Sequence, residues 1–273
     1  MHKVGMPFAT ISADGSFALS INFPRMYDFR PGYGYCNAPD KWRDEKQPAD
    51  DGIWLVDIKN NASRLILSLA DIASAIGDQA PFAGEKLLVN HITFNPGGTR
   101  FLALVRNFPI IIPGAPDGAW HTALITASRD GSDLRVLSAG PCLPSHYHWK
   151  NDHVFAIYRD GPDCQQLYET TDEHGTPVSA IERTFFRKDG HCSYSPDRRW
   201  MLYDSYPDEN RLQHIYIYDL HAREGLETGA FYSPPVNPVD IRCDLHPRWS
   251  PDGRYVSFDS THEGFRGLYF LQL

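Results

Sequence analysis

Short apolar or alternating runs fill the chain and are cut at intervals by turn signals: ADGS, NPGGT, RDGS, SPDRR and SPDG. Alternation of period two, bounded by Gly, Pro, Asp and Ser, predicts strands. Helical periodicity is confined to residues 67–76. The pattern therefore predicts an all-β chain.

Five segments superpose on one another: PFATISADGSFALSINF, NHITFNPGGTRFLALVRN, SHYHWKNDHVFAIYRD, GHCSYSPDRRWMLYDSYPD and LHPRWSPDGRYVSFDSTHEG. Each reads as strand, tight turn, strand, because Pro fixes φ ahead of Asp or Gly residues that tolerate turn conformations. Third and fourth strands follow in most units, as in GIWLVDI with SRLILSL, TALITAS with DLRVLSA, and QLYETTD with PVSAIER. The last unit has only GLYFLQL as a third strand. Four-stranded units recurring about every fifty residues predict a β-propeller. The units run approximately over residues 6–70, 89–140, 144–184, 189–232 and 244–273, in a single domain spanning 1–273. Such a chain is either five-bladed or an N-terminally truncated seven- or eight-bladed propeller. MHKVG offers one weak strand to close the last blade.

Alignment of the units on the turn gives His91-x-x-Phe94, His146-x-x-Trp149, His191-x-x-Tyr194 and His246-x-x-Trp249, with Phe8 in the slot of the first unit. Histidine makes up only 12 of 273 residues, so four in one slot is a signal and not background. Alternation along a strand turns the aromatics to one side, for packing between blades, and the histidines to the other. Innermost strands border a propeller's channel, so the histidines are expected to converge there with their period-two neighbours His148, Asp189, Asp244 and Arg248. Convergent His and Asp are what a metal or acid–base centre needs. His191, Asp244 and His246, on adjacent blades, form the expected ligand group. The bland alternative is a histidine in each blade that merely hydrogen-bonds its neighbour.

Composition narrows the function. A formal charge of −8 and a pI near 5.8 exclude a nucleic-acid backbone as main partner. No apolar run is long enough to span a bilayer, and no signal peptide precedes the first unit. The chain reads as soluble, cytoplasmic as given and periplasmic if an N-terminal segment is missing. Five cysteines (Cys36, Cys142, Cys164, Cys192 and Cys243) form no CxxC pair, so neither a disulfide framework nor a zinc ribbon is expected. The loops joining second to third strands emerge where the first strands begin. They are cationic and aromatic: Arg25, Tyr27, Arg30, Tyr33, Tyr35, Trp42 and Arg43 in the first, then Arg106, Arg159, Tyr206, Arg211, His262 and Arg266. Forked guanidinium hydrogen bonds and stacking rings suit an anionic oligosaccharide. The competing reading pairs each arginine with a nearby acid such as Asp28, Asp160 or Glu209.

SPDRRWMLYDSYPD and RWSPDGRYVSFDS resemble the TolB-like propeller repeat, and the blades as a whole are similar to those of oligogalacturonate lyases and, less closely, ulvan lyases. The resemblance implies metal-binding histidines in GHCSYSPD and DLHPRWSPDG, at His191 and His246, and a further active-site histidine in SHYHW, at His146. Where the family has Gln and a second His ahead of its last ligand, this chain has Ile241 and Asp244. The implied reaction is β-elimination in a uronic-acid glycan. It assigns His146 as base, Tyr206 or His148 as acid, Arg211 as carboxylate clamp, and one divalent ion (Mn, Zn or Ca) to His191, Asp244 and His246. His91, Arg25, Arg106, Arg159 and Arg266 are the expected substrate contacts. The rival reading is a non-catalytic propeller that binds a protein or glycan through its rim. No GxSxG, nucleotide loop or paired-carboxylate spacing supports a different enzyme class.

Overall fold

Each unit begins by folding its turn around one polar side chain. Ser12, Ser195 and Ser250 each accept a hydrogen bond from the backbone N–H five residues on, at 3.0, 2.9 and 2.9 Å, and each donates to the Asp two residues on at 2.6 Å. Asn95 and Asn151 replace the serine in the other two units, accepting from the backbone of Thr99 and Val154. These bonds fix the hairpin register through contacts within five residues of each turn.

In the computed structural model the described residues are 5–78, 81–108, 120–139, 144–160, 165–173, 179–182, 184–186, 188–236 and 242–273. The first sheet holds β1 (Thr10–Ile11) and β2 (Phe17–Ser20), then, after helix α1 (Phe23–Phe29), β3 (Gly52–Asp57) and β4 (Ala62–Ser68). Helix α2 (Leu69–Ile76) follows, closed at its start by a capping box between Ser68 and Asp71, where helical periodicity is expected. The second sheet is β5 (Leu87–Phe94), β6 (Arg100–Asn107), β7 (Thr122–Ser128) and β8 (Arg135–Ser138). The third is β9 (Tyr147–Trp149), β10 (Val154–Asp160), β11 (Gln165–Thr171) and β12 (Ser179–Ala180). The fourth is β13 (Cys192–Tyr194), β14 (Trp200–Asp204), β15 (Leu212–Asp219) and β16 (Glu224–Tyr232). The last has three strands, β17 (Arg248–Trp249), β18 (Tyr255–Ser260) and β19 (Gly267–Gln272). Within every sheet the strands pair antiparallel in chain order, the up-and-down blade of a propeller.

The first two sheets belong to one compact unit and the last three to another. In the first, both helices pack on a core that includes Leu19, Ile53, Ile72, Phe82, Phe101 and Ile125. In the second, Ala156, Leu167, Tyr194 and Tyr203 fill one seam, and Leu202, Ile215, Leu245 and Phe258 another. The aromatic column packs as expected: Phe94, Trp149 and Tyr194 are buried, and half-buried Trp249 donates through Nε1 to the Ser193 carbonyl.

Arg25 is a correction. Expected on a rim and open to ligand, it is 1% exposed, and its guanidinium donates to the carbonyls of Leu87, Trp42, Glu45 and Lys46 and to Asp40. It ties the long insertion after β2 to β5, a structural task that leaves no face for substrate. A second correction concerns where the histidines stand. Of the four aligned histidines His91 alone lies within a strand, at a bulge of β5 with φ 44°, whereas His146, His191 and His246 precede β9, β13 and β17. MHKVG apart from Gly5, and Cys142, Cys164 and Ile241, lie outside the described residues. Cys36, Cys192 and Cys243 are unbridged. Among the described residues no helix is long and apolar enough to cross a membrane.

Candidate functional site

Three imidazoles of the second compact unit form a tilted stack, with interplanar angles of 56° and 35° between successive rings. The ring centroids of His146 and His191 are 4.1 Å apart, and those of His191 and His246 are 3.7 Å apart. Three consecutive sheets each contribute one ring from the segment entering the first strand. The backbone takes two routes to this convergence. The Asp204 N–H reaches the carbonyl of His191, but Asp259 in the next sheet reaches that of Leu245, and His246 takes a positive φ of 41°.

Asp204, which motif reasoning passed over, organises the stack. Its carboxylate accepts from the His191 backbone at 2.6 Å, from His191 Nδ1 at 3.0 and 2.9 Å, and from the His246 backbone at 3.0 Å. It is buried at the end of β14. Asp189 does the corresponding work for His146: its Oδ1 lies 3.1 Å from Nδ1, while Ser145 Oγ donates to its Oδ2 at 2.7 Å. A carboxylate can only accept, so in both pairs the imidazole proton sits on Nδ1 and Nε2 is left as donor atom or base.

Gly190 makes this approach possible. A Cβ there falls 1.9 Å from the Asp204 carbonyl oxygen and 3.0 Å from Oδ1. Gly190→Ala is accordingly expected to cost about 2 kcal/mol by overpacking and to displace His191. Urea titration gives the stability, and the histidine ring signals in NMR give the displacement. An unchanged midpoint with unchanged imidazole shifts contradicts the close-packing account.

Burial and the neighbouring His191 charge push the His146 pKa down, against the pull of Asp189. Burial acts on His191 too, but the charge and hydrogen bond of Asp204 outweigh it and raise its pKa. His246, exposed at the end of the row but partly desolvated where it faces the His191 charge, falls to about 4. Burial works to raise Asp204, yet its contacts with His191 hold it below the usual carboxylate range. Of the three rings, the middle one is thus the one whose charged form its surroundings favour, through Asp204.

Tyr206 stands 6.1 Å from both His146 and His191, ring centre to ring centre. Burial and the charges of Asp189 and Asp244 raise its phenol well above the ordinary value, so it keeps its proton at neutral pH. With Arg211 and Arg242 it lines a cavity of about 270 Å³. Two donors of Arg211, Nε and Nη2, are spent on the carbonyls of Ser233 and Pro234. Arg242, which sequence reasoning did not single out, lies 4.6 Å over the Tyr206 ring and grips Asp244 with Nε and Nη2.

His191, Asp244 and His246 offer one ligand atom each, all within 4.8 Å of one another. Two imidazoles and a carboxylate, one imidazole oriented by a second carboxylate, fit a divalent metal of intermediate softness. The remaining expected residues divide. His148 does not join the stack: its Nδ1 accepts from the Tyr194 N–H at 3.3 Å, and burial brings it to about 4, so a role as proton-donating imidazolium is withdrawn. Arg248 pairs with Asp259 of its own sheet and is exposed. Arg159 donates to the Asp160 carbonyl beside it, and Arg266 is exposed between β18 and β19. His91 and Arg106 belong to the first compact unit, where His91 is exposed and Arg106 is half-buried near the end of β6.

No family model matches the chain, and no curated protein matches it. Solved structures do. An oligogalacturonate lyase in complex with manganese is 13% identical, with a TM-score of 0.62 over 97% of this chain and 64% of that one. The oligogalacturonate lyase of Vibrio parahaemolyticus is 14% identical, with a TM-score of 0.59 over 99% of this chain and 66% of that one. TolB from Acinetobacter baumannii is 12% identical, with a TM-score of 0.56 over 98% and 52%. At such identities the likeness shows a propeller fold shared by different activities. The chain spans between about half and two thirds of the length of these structures.

Proposed function

We propose that this chain carries the eliminating site of a lyase for uronic-acid glycans. The observation that supports it most is the stack of His146, His191 and His246 on Asp189 and Asp204, beside a protonated Tyr206 and a cavity lined with arginine. A propeller of similar fold is an oligogalacturonate lyase in complex with manganese.

β-Elimination removes the proton from the carbon next to the sugar carboxylate, forms a carbon–carbon double bond and breaks the glycosidic C–O bond, whose oxygen leaves with a proton. His146 is the base: it is neutral, Asp189 fixes its Nδ1–H, and its Nε2 lone pair takes the proton. Tyr206 is the acid: its phenol is protonated at neutral pH and its ring stands 6.1 Å from that of the base, so its proton can go to the departing oxygen. Arg211 stands at the cavity wall for the substrate carboxylate. His191, Asp244 and His246 would hold one divalent ion, which when bound supplies charge neutralisation to that carboxylate. The purified protein, incubated with manganese and polygalacturonate, ulvan or other uronic-acid glycans, is expected to generate the ultraviolet absorbance of an unsaturated uronate. Complete silence across that panel overturns the lyase reading.

A non-catalytic binding propeller is the second reading, favoured by the comparable similarity to TolB. It requires no metal, and it tolerates His191→Ala and His146→Ala together without loss of function.

A further inference from the structure

Asp244 has more claimants than a free metal ligand should. Both of its oxygens accept from Arg242, Oδ1 from Nε and Oδ2 from Nη2 at 3.0 Å, and Gln213 Nε2 approaches Oδ1 at 3.4 Å. The pair is secluded: the side chains of Arg242 and Asp244 are 16% and 7% exposed. A divalent cation held by His191, Asp244 and His246 would share this carboxylate with a guanidinium at contact distance. Two like charges on one carboxylate in a poorly solvated place repel strongly. Arg242 also has somewhere to go. Its guanidinium already lies over Tyr206, and both line the cavity that Arg211 borders.

We infer that Arg242 is an exchangeable counter-ion: it neutralises Asp244 when no metal is present, and on metal binding it turns into the Tyr206–Arg211 cavity to hold a carboxylate of the substrate. This inference rests on the metal reading of the site. It makes the two events mutually reinforcing, because whatever draws Arg242 off Asp244 favours the ion, and the ion releases Arg242 for the anion. An uncharged sugar gains nothing from the exchange, so the device also selects for uronates.

Calorimetry on purified, chelator-stripped protein tests it with manganese alone, with D-galacturonate, and with galactose as the neutral control. Removing a charge-assisted competitor is expected to tighten manganese binding about tenfold in Arg242→Ala. Arg242→Gln serves if the alanine variant does not give a native circular dichroism spectrum. Conversely Asp244→Asn, which lets go of the guanidinium, is expected to bind galacturonate about tenfold more tightly than wild type when both are metal-free, with galactose unaffected. Weaker or equal manganese binding in the Arg242 variants means that Arg242 merely orients Asp244 as a ligand, and overturns the exchange while leaving the metal site standing. So does unchanged galacturonate binding by Asp244→Asn. Failure of both wild type and the Arg242 variants to bind manganese removes the metal reading, and the inference with it.

Discussion

Asp204→Ala is expected to destabilise the second compact unit by about 4 kcal/mol, the order of loss when one partner of a buried ion pair is removed. The substitution takes away the acceptor of the His191 ring and of two backbone N–H groups, those of His191 and His246. Buried donors left without a partner incur their full desolvation penalty, so the loss exceeds that of a surface pair. Metal affinity is expected to fall about 10- to 100-fold as well, because the carboxylate holds His191 in the tautomer that presents Nε2. Asp204→Asn should fall between: one oxygen remains to accept, but its amide N–H₂ meets another donor. Urea unfolding followed by tryptophan fluorescence, paired with manganese titration, reads both effects. An unchanged midpoint together with unchanged affinity means that the stack does not depend on this carboxylate.

His146→Ala is expected to lower kcat on a uronate substrate about 10³-fold, the scale of a lost general base, with KM little altered. Its manganese content should stay at the wild-type level, since His146 is outside the ligand group. That combination separates a base from a residue that only supports the fold, which would lower stability and metal content along with rate. Loss of metal in this variant contradicts the division of labour among the three rings.

The blades and the packing column were legible because their signals are local. A Ser or Asn closes each turn through bonds within a few residues, and an aromatic three places after each histidine slot fills a seam. The histidine convergence was legible only through repetition across units. The rest of the site depends on contacts that are long-range or concealed by the repeat itself. Asp204 lies 13 residues from His191 at the end of the second strand, and its repeat partner Asp259 pairs with Arg248 instead. One slot thus does two jobs. Arg25 looked like a surface cation because its partners are carbonyls of an irregular insertion, which carries no periodicity. Strand alternation groups His148 with His146, but β9 starts at Tyr147, so the rule does not extend back to His146. Arg242 precedes β17 in a stretch without regular structure, where no pattern could assign its direction.

The metal content of freshly purified protein, measured by mass spectrometry beside that of a His191→Ala/His246→Ala double variant, probes the centre of this account most directly. A divalent ion at about one per chain in the wild type, absent from the folded double variant, is the result expected from imidazoles gathered by Asp204. Metal-free wild type that also takes up none on manganese dialysis would leave a stack of histidines that serves only to join neighbouring sheets.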